Sequence, residues 1–321
     1  MHMDSGMKIL VTGGAGYIGS AVVKALCEEG ATVTVFDDLS EGDKEKVDPK
    51  AEFVQGDILD REALDPVFSR GNFDAVVHCA AKKVMFEGEE DPTKYFSNNV
   101  GGTLNVLAAM EKHKVPKVIF SSTAAVYAPV ADGHPVVETD PLNPQSVYGR
   151  TKLMCEMLIT EYARLKKIDS YVIFRYFNVA GDAGLSFKEK NPQGVFPLLA
   201  YAAAGKMPFN IFGTHYPTSD GSAIRDYIHL SDLVQAHLVA LGSEASTGIY
   251  NLGTNSGYSV RELVRVFAEV CKNEFPVVEA EARKGDVARV IADTSKVREA
   301  LGWEPHKTLR TMVEDMVRIY T

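Results

Sequence analysis

Strand-like and helix-like segments alternate along the chain from Met7. Continuous apolar runs at Lys8–Thr12, 33–37, Glu52–Gln55, Ala75–His78, 117–121 and 171–175 read as strands, and helical patterns begin at Ser20, Arg61, Asn99 and Tyr148. Strands apolar along their whole length are those covered by helices on both faces, as in a parallel sheet. The pattern predicts an α/β protein with a doubly wound parallel sheet. After Asn178 the rhythm breaks. Residues 181–193 are polar and irregular, followed by a short helix at 195–204 and an isolated strand at Phe209–Phe212. We expect a first domain over 7–180 and a smaller substrate-binding α/β domain over 181–321. The two interleave, with about 224–243 returning to the first, where Tyr227-Ile228-His229 reads as a strand and Ser231-Asp232 caps a helix over 233–241.

The first strand feeds a glycine cluster, Gly13-Gly14-Ala15-Gly16-Tyr17-Ile18-Gly19, which opens directly into a helix. Gly13 suits the tight turn, Gly16 the close approach of a pyrophosphate, and Gly19 close packing of helix on sheet. The helix start offers free N–H groups to the anion. The second strand ends in Asp37, a carboxylate suited to the hydroxyls of an adenosine ribose. Beside Asp37 and Asp38 a 2′-phosphate is repelled, so the cofactor predicted is NAD rather than NADP.

The net charge of −9 argues against nucleic acid or an anionic membrane as a partner. Cys27, Cys79, Cys155 and Cys271 form no CxxC pair, which favours reduced thiols in a cytoplasm over disulfides or a metal site. The opening residues 1–6 read as an expression scar ahead of a native start at Met7.

Tyr148 and Lys152 stand four apart at a helix start, hence on one face. An ammonium beside a phenol favours the phenolate and moves it toward the range of a general base. Tyr162 and Lys166 repeat the spacing and read as a solvated helix face. Tyr148 differs by context, since its loop follows a strand ending in Ser121-Ser122-Thr123, and ligands of open α/β sheets bind at that edge. Thr123 supplies a hydroxyl for the reacting oxygen. His78 and His229 lie in apolar strand patterns and read as core histidines, and Trp303 as packing after a helix.

Taken together, Thr12 to Gly19, Gly56-Asp57-Ile58, His78-Cys79-Ala80-Ala81-Lys82-Lys83, Asn98-Asn99-Val100, Ser121-Ser122-Thr123, Tyr148 with Lys152, Arg175-Tyr176-Phe177-Asn178, Tyr216-Pro217-Thr218, Asp220-Gly221, Arg225-Asp226-Tyr227-Ile228-His229 and the stretch from Arg283 to Asp286 resemble the UDP-glucose 4-epimerase family of extended short-chain dehydrogenase/reductases. The resemblance runs nearly the whole chain. It implies a Rossmann fold and NAD-dependent 4-epimerisation of a UDP-hexose through a transient 4-keto sugar. The enzyme would be a cytoplasmic, homodimeric isomerase of galactose metabolism, pairing through the helices from Asn99 and Tyr148.

The same resemblance implies that Thr123, Tyr148 and Lys152 are catalytic. It places Gly13, Gly16, Tyr17, Ile18, Gly19, Asp37, the loop Asp38-Leu39-Ser40-Glu41-Gly42, Asp57, Ile58, Cys79, Ala80, Ala81, Lys83, Asn98 and Phe177 at the cofactor. Lys83, Asn178, Gly194, Val195, Asn210, Ile211, Phe212, Arg225, Arg283, Asp286 and Val290 fall at the substrate. Arg225 and Arg283 suit its diphosphate, since guanidinium forks pair well with phosphate oxygens; the bland alternative for Arg225 is an ion pair with Asp226.

Several positions depart from the family pattern. Thr123 replaces a more usual serine. Gly194-Val195 stands where an asparagine or histidine and a leucine are common, the 38–42 loop is more acidic, and Val290 replaces a tyrosine of some members. A related 4,6-dehydratase needs an acid and a base where this chain has Ala124 and Ala125. A UDP-pentose or uronate 4-epimerase remains an alternative. A non-catalytic NAD-binding regulator is disfavoured by the presence of Thr123, Tyr148 and Lys152 together.

Overall fold

The computed structural model describes residues 6–130, 133–189, 192–242, 247–283 and 286–321, so residues 1–5 of the expected expression scar lie outside it. Its centre is a seven-stranded sheet. The strands are β1 (Lys8–Thr12), β2 (Thr32–Asp37), β3 (Glu52–Gln55), β4 (Ala75–His78), β5 (Lys117–Thr123), β6 (Ser170–Tyr176) and β11 (Gly248–Leu252). They lie in the order β11-β6-β5-β4-β1-β2-β3, every neighbouring pair parallel. From β1 the chain winds outward to β3, then jumps back across β1 to β4. That reversal leaves a crevice at the carboxyl ends of β1 and β4.

Side chains alternate between two apolar layers, as a strand period of two requires. Ile9, Val11, Val33, Val35, Ala75, Val77, Ile119, Val172 and Phe174 enter one core. Leu10, Phe36, Val76, Val118, Phe120 and Ile173 enter the other. Helices α1 (Tyr17–Glu28) and α8 (Leu230–Gly242) cover the first face; α2 (Arg61–Gly71), α5 (Gly102–His113) and α6 (Val147–Arg164) cover the second. Each buried aliphatic or aromatic side chain contributes roughly 1.5–3 kcal/mol. Asp60 caps α2 by accepting from the N–H groups of Glu62 and Ala63, and Ser146 caps α6 by accepting from Gly149.

Three details differ from the sequence expectation. The helix expected from Asn99 begins earlier, through short α3 (Met85–Glu90) and α4 (Pro92–Tyr95), and passes into α5 by a π-helical turn, Phe96–Gly101. Ser231 does not cap its helix; α8 starts at Leu230, and the Ser231 N–H is received by His229 Nδ1 at 3.0 Å. Lys166 lies beyond the end of α6 at φ +57, and Tyr162 packs partly on the core, so this second Tyr–Lys pair is not one solvated helix face.

The remaining elements are β7 (Asn178–Ala180), α7 (Val195–Ala203), β8 (Phe209–Phe212), β9 (Ile224–Arg225), β10 (Tyr227–His229), β12 (Tyr258–Ser259), α9 (Val260–Cys271), β13 (Val277–Ala280), β14 (Arg289–Val290), α10 (Ser295–Leu301) and α11 (Leu309–Tyr320). Helices α7, α9 and α11 enclose a separate apolar core with Phe209 and Ile211. The return to the central sheet runs past the expected 224–243, because β11 is its edge strand and Val297 and Trp303 join its core. Trp303 is buried there and donates to Asp232 O at 2.9 Å.

Asp226, between β9 and β10, ties these parts together. Its carboxylate accepts from Thr254 N at 2.8 Å, Thr254 Oγ1 at 2.7 Å and Ala292 N at 3.1 Å. Burial pushes its pKa up to about 6 despite these donors. Between about 4 and about 6 the folded protein therefore holds this proton more tightly than the unfolded chain, and stability from this group falls as pH rises through that window. Asp226→Asn should flatten that slope, yet cost about 1–3 kcal/mol, because an amide NH2 would face backbone N–H groups. Urea unfolding at pH 4.5 and pH 7.5 checks both; an unchanged slope in the variant rejects the assignment.

Candidate active site

A long cleft opens over the carboxyl edge of the sheet. At its floor Gly13 turns at φ +72, and a Cβ there would stand 2.5 Å from Ala80 N. Gly19 is tighter: its Cβ would meet Gly13 O at 2.1 Å, so helix α1 can sit on this turn only with glycine. Gly16 differs. A Cβ there meets only Gly13 O at 3.3 Å and would otherwise project into open space. No side chain caps α1 and its first turn holds no acid, leaving backbone N–H groups and the positive end of the helix for an anion. This cradle fits a pyrophosphate, and hence the dinucleotide the glycine motif predicts.

Asp37, at the end of β2, is buried and accepts from Ala15 N at 3.0 Å and Leu39 N at 2.8 Å. Burial raises its pKa despite those bonds. Asp38, Ser40, Glu41, Gly42, Asp57, Ile58, Cys79, Ala80, Ala81, Lys83 and Asn98 also line the cleft, with Tyr17 and Ile18. Leu39 does not; it sits at φ +62 with its N–H on Asp37. Lys82 brings a charge that the acidic-loop argument left out. Its Nζ donates to Ser40 Oγ at 2.7 Å, while Ser40 N donates to Asp38 at 2.8 Å. Repulsion of a 2′-phosphate thus rests on Asp37 more than on the loop as a whole.

Tyr148 and Lys152 both line the cleft, and Thr123 lies behind them at the end of β5. Helix α6 approaches closely here, since a Cβ on Gly149 would stand 2.4 Å from Ala125 O. The Thr123 hydroxyl accepts from Ala125 N at 3.2 Å and bonds the Tyr148 phenol, drawing its pKa down. Burial outweighs this and pushes Tyr148 up to about 12. Lys152 is not the counterweight expected. Its Nζ donates to Ser121 O at 2.7 Å and lies 4.6 Å from the Phe120 ring centroid, and burial lowers its own pKa.

Phe177, expected at the cofactor, is buried with Val126, Tyr127 and Ala292, and its neighbour Tyr176 lines the cleft. Sequence reasoning also passed over Phe187 and Glu189. They come from the irregular 181–193 segment, which carried no periodic signal. Residues 181–189 strap the cleft. Tyr17 Oη donates to Gly181 O at 2.6 Å, Phe187 packs 5.8 Å from Tyr17, and Lys83 pairs with Glu189 at 2.5 Å. The Glu189 N–H donates to Tyr320 Oη at 3.2 Å.

Of the predicted substrate residues Lys83 lines the cofactor cleft, while Asn178, Asn210 to Phe212, Arg225 and Val290 lie on β7, β8, β9 and β14, Gly194 and Val195 open α7, and Arg283 and Asp286 lie between β13 and β14. Arg225 pairs with Asp286 at 2.9 Å, not with Asp226, and the Arg283 guanidinium lies 4.0 Å from the Phe212 ring centroid. Asn178 donates to Asp226 O at 2.9 Å. Asn210 is exposed, whereas Ile211 points into the core, so of that strand Asn210 and Phe212 remain for a ligand. Gly194 precedes α7 and Val195 packs partly on the smaller core. Val290 is half-buried and packs against the cluster that holds Phe177. His78 is a core residue, bonded to Thr12 Oγ1 at 2.6 Å and Thr103 Oγ1 at 2.9 Å, with its pKa pushed down to about 3 by burial. His229 is buried against Asp315 at 2.9 Å. Among the described residues no cluster of His, Cys, Asp and Glu could hold a metal ion.

Residues 9–253 match the NAD dependent epimerase/dehydratase family. A UDP-glucose 4-epimerase of Bacillus subtilis (strain 168) is 41% identical, the alignment covering 97% of this chain and 96% of that protein. The crystal structure of UDP-glucose 4-epimerase from Brucella ovis in complex with NAD superposes with a TM-score of 0.93 at 37% identity, covering 98% of each chain. The UDP-Glc/GlcNAc 4-epimerase from Campylobacter jejuni superposes at 0.87 with 36% identity, covering 98% of this chain and 99% of that one.

The two glycines should separate in experiment. Gly19→Ala meets backbone and should cost several kcal/mol, on the order of the largest single-residue effects. Gly16→Val should melt close to wild type, since its side chain enters the cleft, and its cost should appear as lost dinucleotide. Thermal melts with nucleotide release by heat decide it; equal destabilisation by both would refute the distinction.

Proposed function

This chain belongs to the NAD dependent epimerase/dehydratase family, and we propose that it is a UDP-hexose 4-epimerase in which Tyr148 is the general base. One observation carries the reading: Tyr148, bonded to the Thr123 hydroxyl at the end of β5, and Lys152 line a cleft whose glycine floor fits a dinucleotide. The near full-length likeness to UDP-glucose 4-epimerases supports the reaction.

In this reading the α1 N-terminus holds the pyrophosphate of NAD, Asp37 the adenosine ribose, and Lys152 the nicotinamide ribose. Bound NAD supplies a reversible acceptor for the C4 hydride and, when oxidised, a positive charge. Tyr148 takes the proton of the 4-hydroxyl and returns it once the 4-keto sugar has turned over, with Thr123 holding the same oxygen. Buried Tyr148 has a high pKa in the protein alone, so this chain keeps the phenol neutral until a cation enters the cleft. Arg225 and Arg283 bind the diphosphate, which requires Arg225 to exchange Asp286 for phosphate oxygens, leaving Asp286 for the uridine ribose. Asn210 and Phe212 face uracil.

The α6 face carrying Met154, 43% exposed, and Met157, 62% exposed, supports a homodimer through α5 and α6. Four free thiols and the acidic surface favour a cytoplasmic enzyme without nucleic-acid or membrane partners.

Heat-released nucleotide and conversion of UDP-galactose without added NAD test the function directly. Tyr148→Phe should keep bound NAD and lose about 10²–10⁴ in kcat, while Tyr162→Phe should keep full activity. Near-normal turnover in Tyr148→Phe removes it as the base.

Val290 bears on substrate range. Valine against the cluster that holds Phe177 leaves room that a tyrosine would fill, and overpacking costs ~1–3 kcal/mol or more. The protein should turn over UDP-N-acetylgalactosamine as well as UDP-galactose, and Val290→Tyr should suppress the former selectively. Absence of N-acetyl turnover in wild type would refute this.

A further inference from the structure

Helix α6 sets three side chains against three consecutive residues of β5. Tyr148 meets the Thr123 hydroxyl, Lys152 donates to Ser121 O, and Glu156 accepts from Ser122 Oγ at 2.5 Å. The three are spaced by four and form one stripe down the helix. Tyr148 and Lys152 line the cleft; Glu156 does not.

Glu156 is 2% exposed and is held by Arg175, itself 1% exposed, through two parallel bonds: Nε to Oε1 at 3.0 Å and Nη2 to Oε2 at 2.7 Å. Arg175 stands directly opposite Ser122 in the β5–β6 register. Its Nη1 donates to Tyr127 Oη at 2.9 Å and to Glu138 O at 3.2 Å, in the connection that leads from β5 to α6. Tyr127 in turn donates to Asn251 Oδ1 on β11 at 2.6 Å. The guanidinium thus bonds the helix and the connection between helix and strand, from a strand beside β5.

A dehydrated ion pair adds little net stability, because the cost of removing both charges from water roughly offsets their attraction, and apolar residues of similar volume fill such a site as well. What apolar residues lack is direction. The guanidinium fork fixes the carboxylate in its plane, and so fixes where α6 lies along β5.

We propose that the Arg175–Glu156 pair is a positioning device that holds Tyr148 in register with Thr123. It rests on the base role given to Tyr148. Neither member lines the cleft, although Ser122, which donates to Glu156, does; both act through α6 and the end of β5 it is bonded to. A displacement of about 1 Å at a reacting group costs as much as ~10²-fold in rate. The pair therefore governs kcat more than substrate affinity.

The test uses the NAD-bound enzyme with UDP-galactose. In the double variant Arg175→Met with Glu156→Leu, bound NAD should stay near wild type and the protein should fold, melting lower only by what the Ser122 hydroxyl and Glu138 O lose with their partners. The kcat should fall about 10–100-fold, with KM within about threefold. Arg175→Lys, which keeps the charge but loses the fork, should resemble the double variant more than wild type. Wild-type kcat in the folded double variant overturns the proposal. Should that variant fail to fold, Glu156→Gln carries the same decision: it should melt lower, because the buried guanidinium loses its counter-charge, but loss of kcat at unchanged KM and bound NAD in the folded protein supports the pair, and wild-type kcat overturns it. Tyr148→Phe is measured alongside. Activity in Tyr148→Phe refutes the base; an inactive Tyr148→Phe beside a fully active double variant refutes the positioning pair alone.

Discussion

Seven strands running the same way impose one constraint on everything else: each ends at the same edge, and the next segment must leave from there. The glycine turn follows Thr12, Asp37 closes β2, Asp57 and Ile58 follow Gln55, Cys79 follows His78, and Thr123 and Tyr176 close β5 and β6. Residues far apart in the chain become neighbours because they share a position relative to a strand end. Burial of both sheet faces holds that edge fixed, and the chain reversal between β1 and β4 opens the crevice in which they meet.

That constraint explains why so much was legible beforehand. Strand boundaries at Lys8–Thr12 and Ala75–His78 follow from buried apolar runs, whose composition leaves little alternative, whereas Glu52–Gln55 is a half-buried edge strand legible from its place in the alternation. The glycine spacing announced the turn because backbone contacts at Gly13 and Gly19 exclude a Cβ. Less was legible where one side chain rewrites the backbone. Asn99 bonds Lys82 N and O and Thr151 Oγ1, and the wide π-helical turn that allows this has no periodic signature. Ser231 looked like a cap, but a histidine ring nitrogen performs that service. Phe187 and Glu189 supply cleft wall from a stretch with no pattern at all.

Electrostatics was the least legible layer. Spacing placed Lys152 beside Tyr148 on one helix face, yet spacing says nothing about which acceptor wins the ammonium. Ser121 O takes it, and Phe120 offers its ring face. Nor could the sequence tell that Arg175 and Glu156, from β6 and α6, are both almost wholly shielded from water. Their partners are fixed by strand register and helix phase together, which only the assembled fold supplies.

The strap over the cleft has a further bearing on how the molecule behaves in time. Gly181, Phe187 and Glu189 attach to the first helix by Tyr17 and to the last by Tyr320, and Lys83 bridges across the opening. The first helix, the strap and the last helix are thus mechanically in series. Escape of anything lying beneath is a question of residence time, set by how often several weak fastenings part together. The last turn of the chain, far from the glycine turn in sequence, belongs to the clasp.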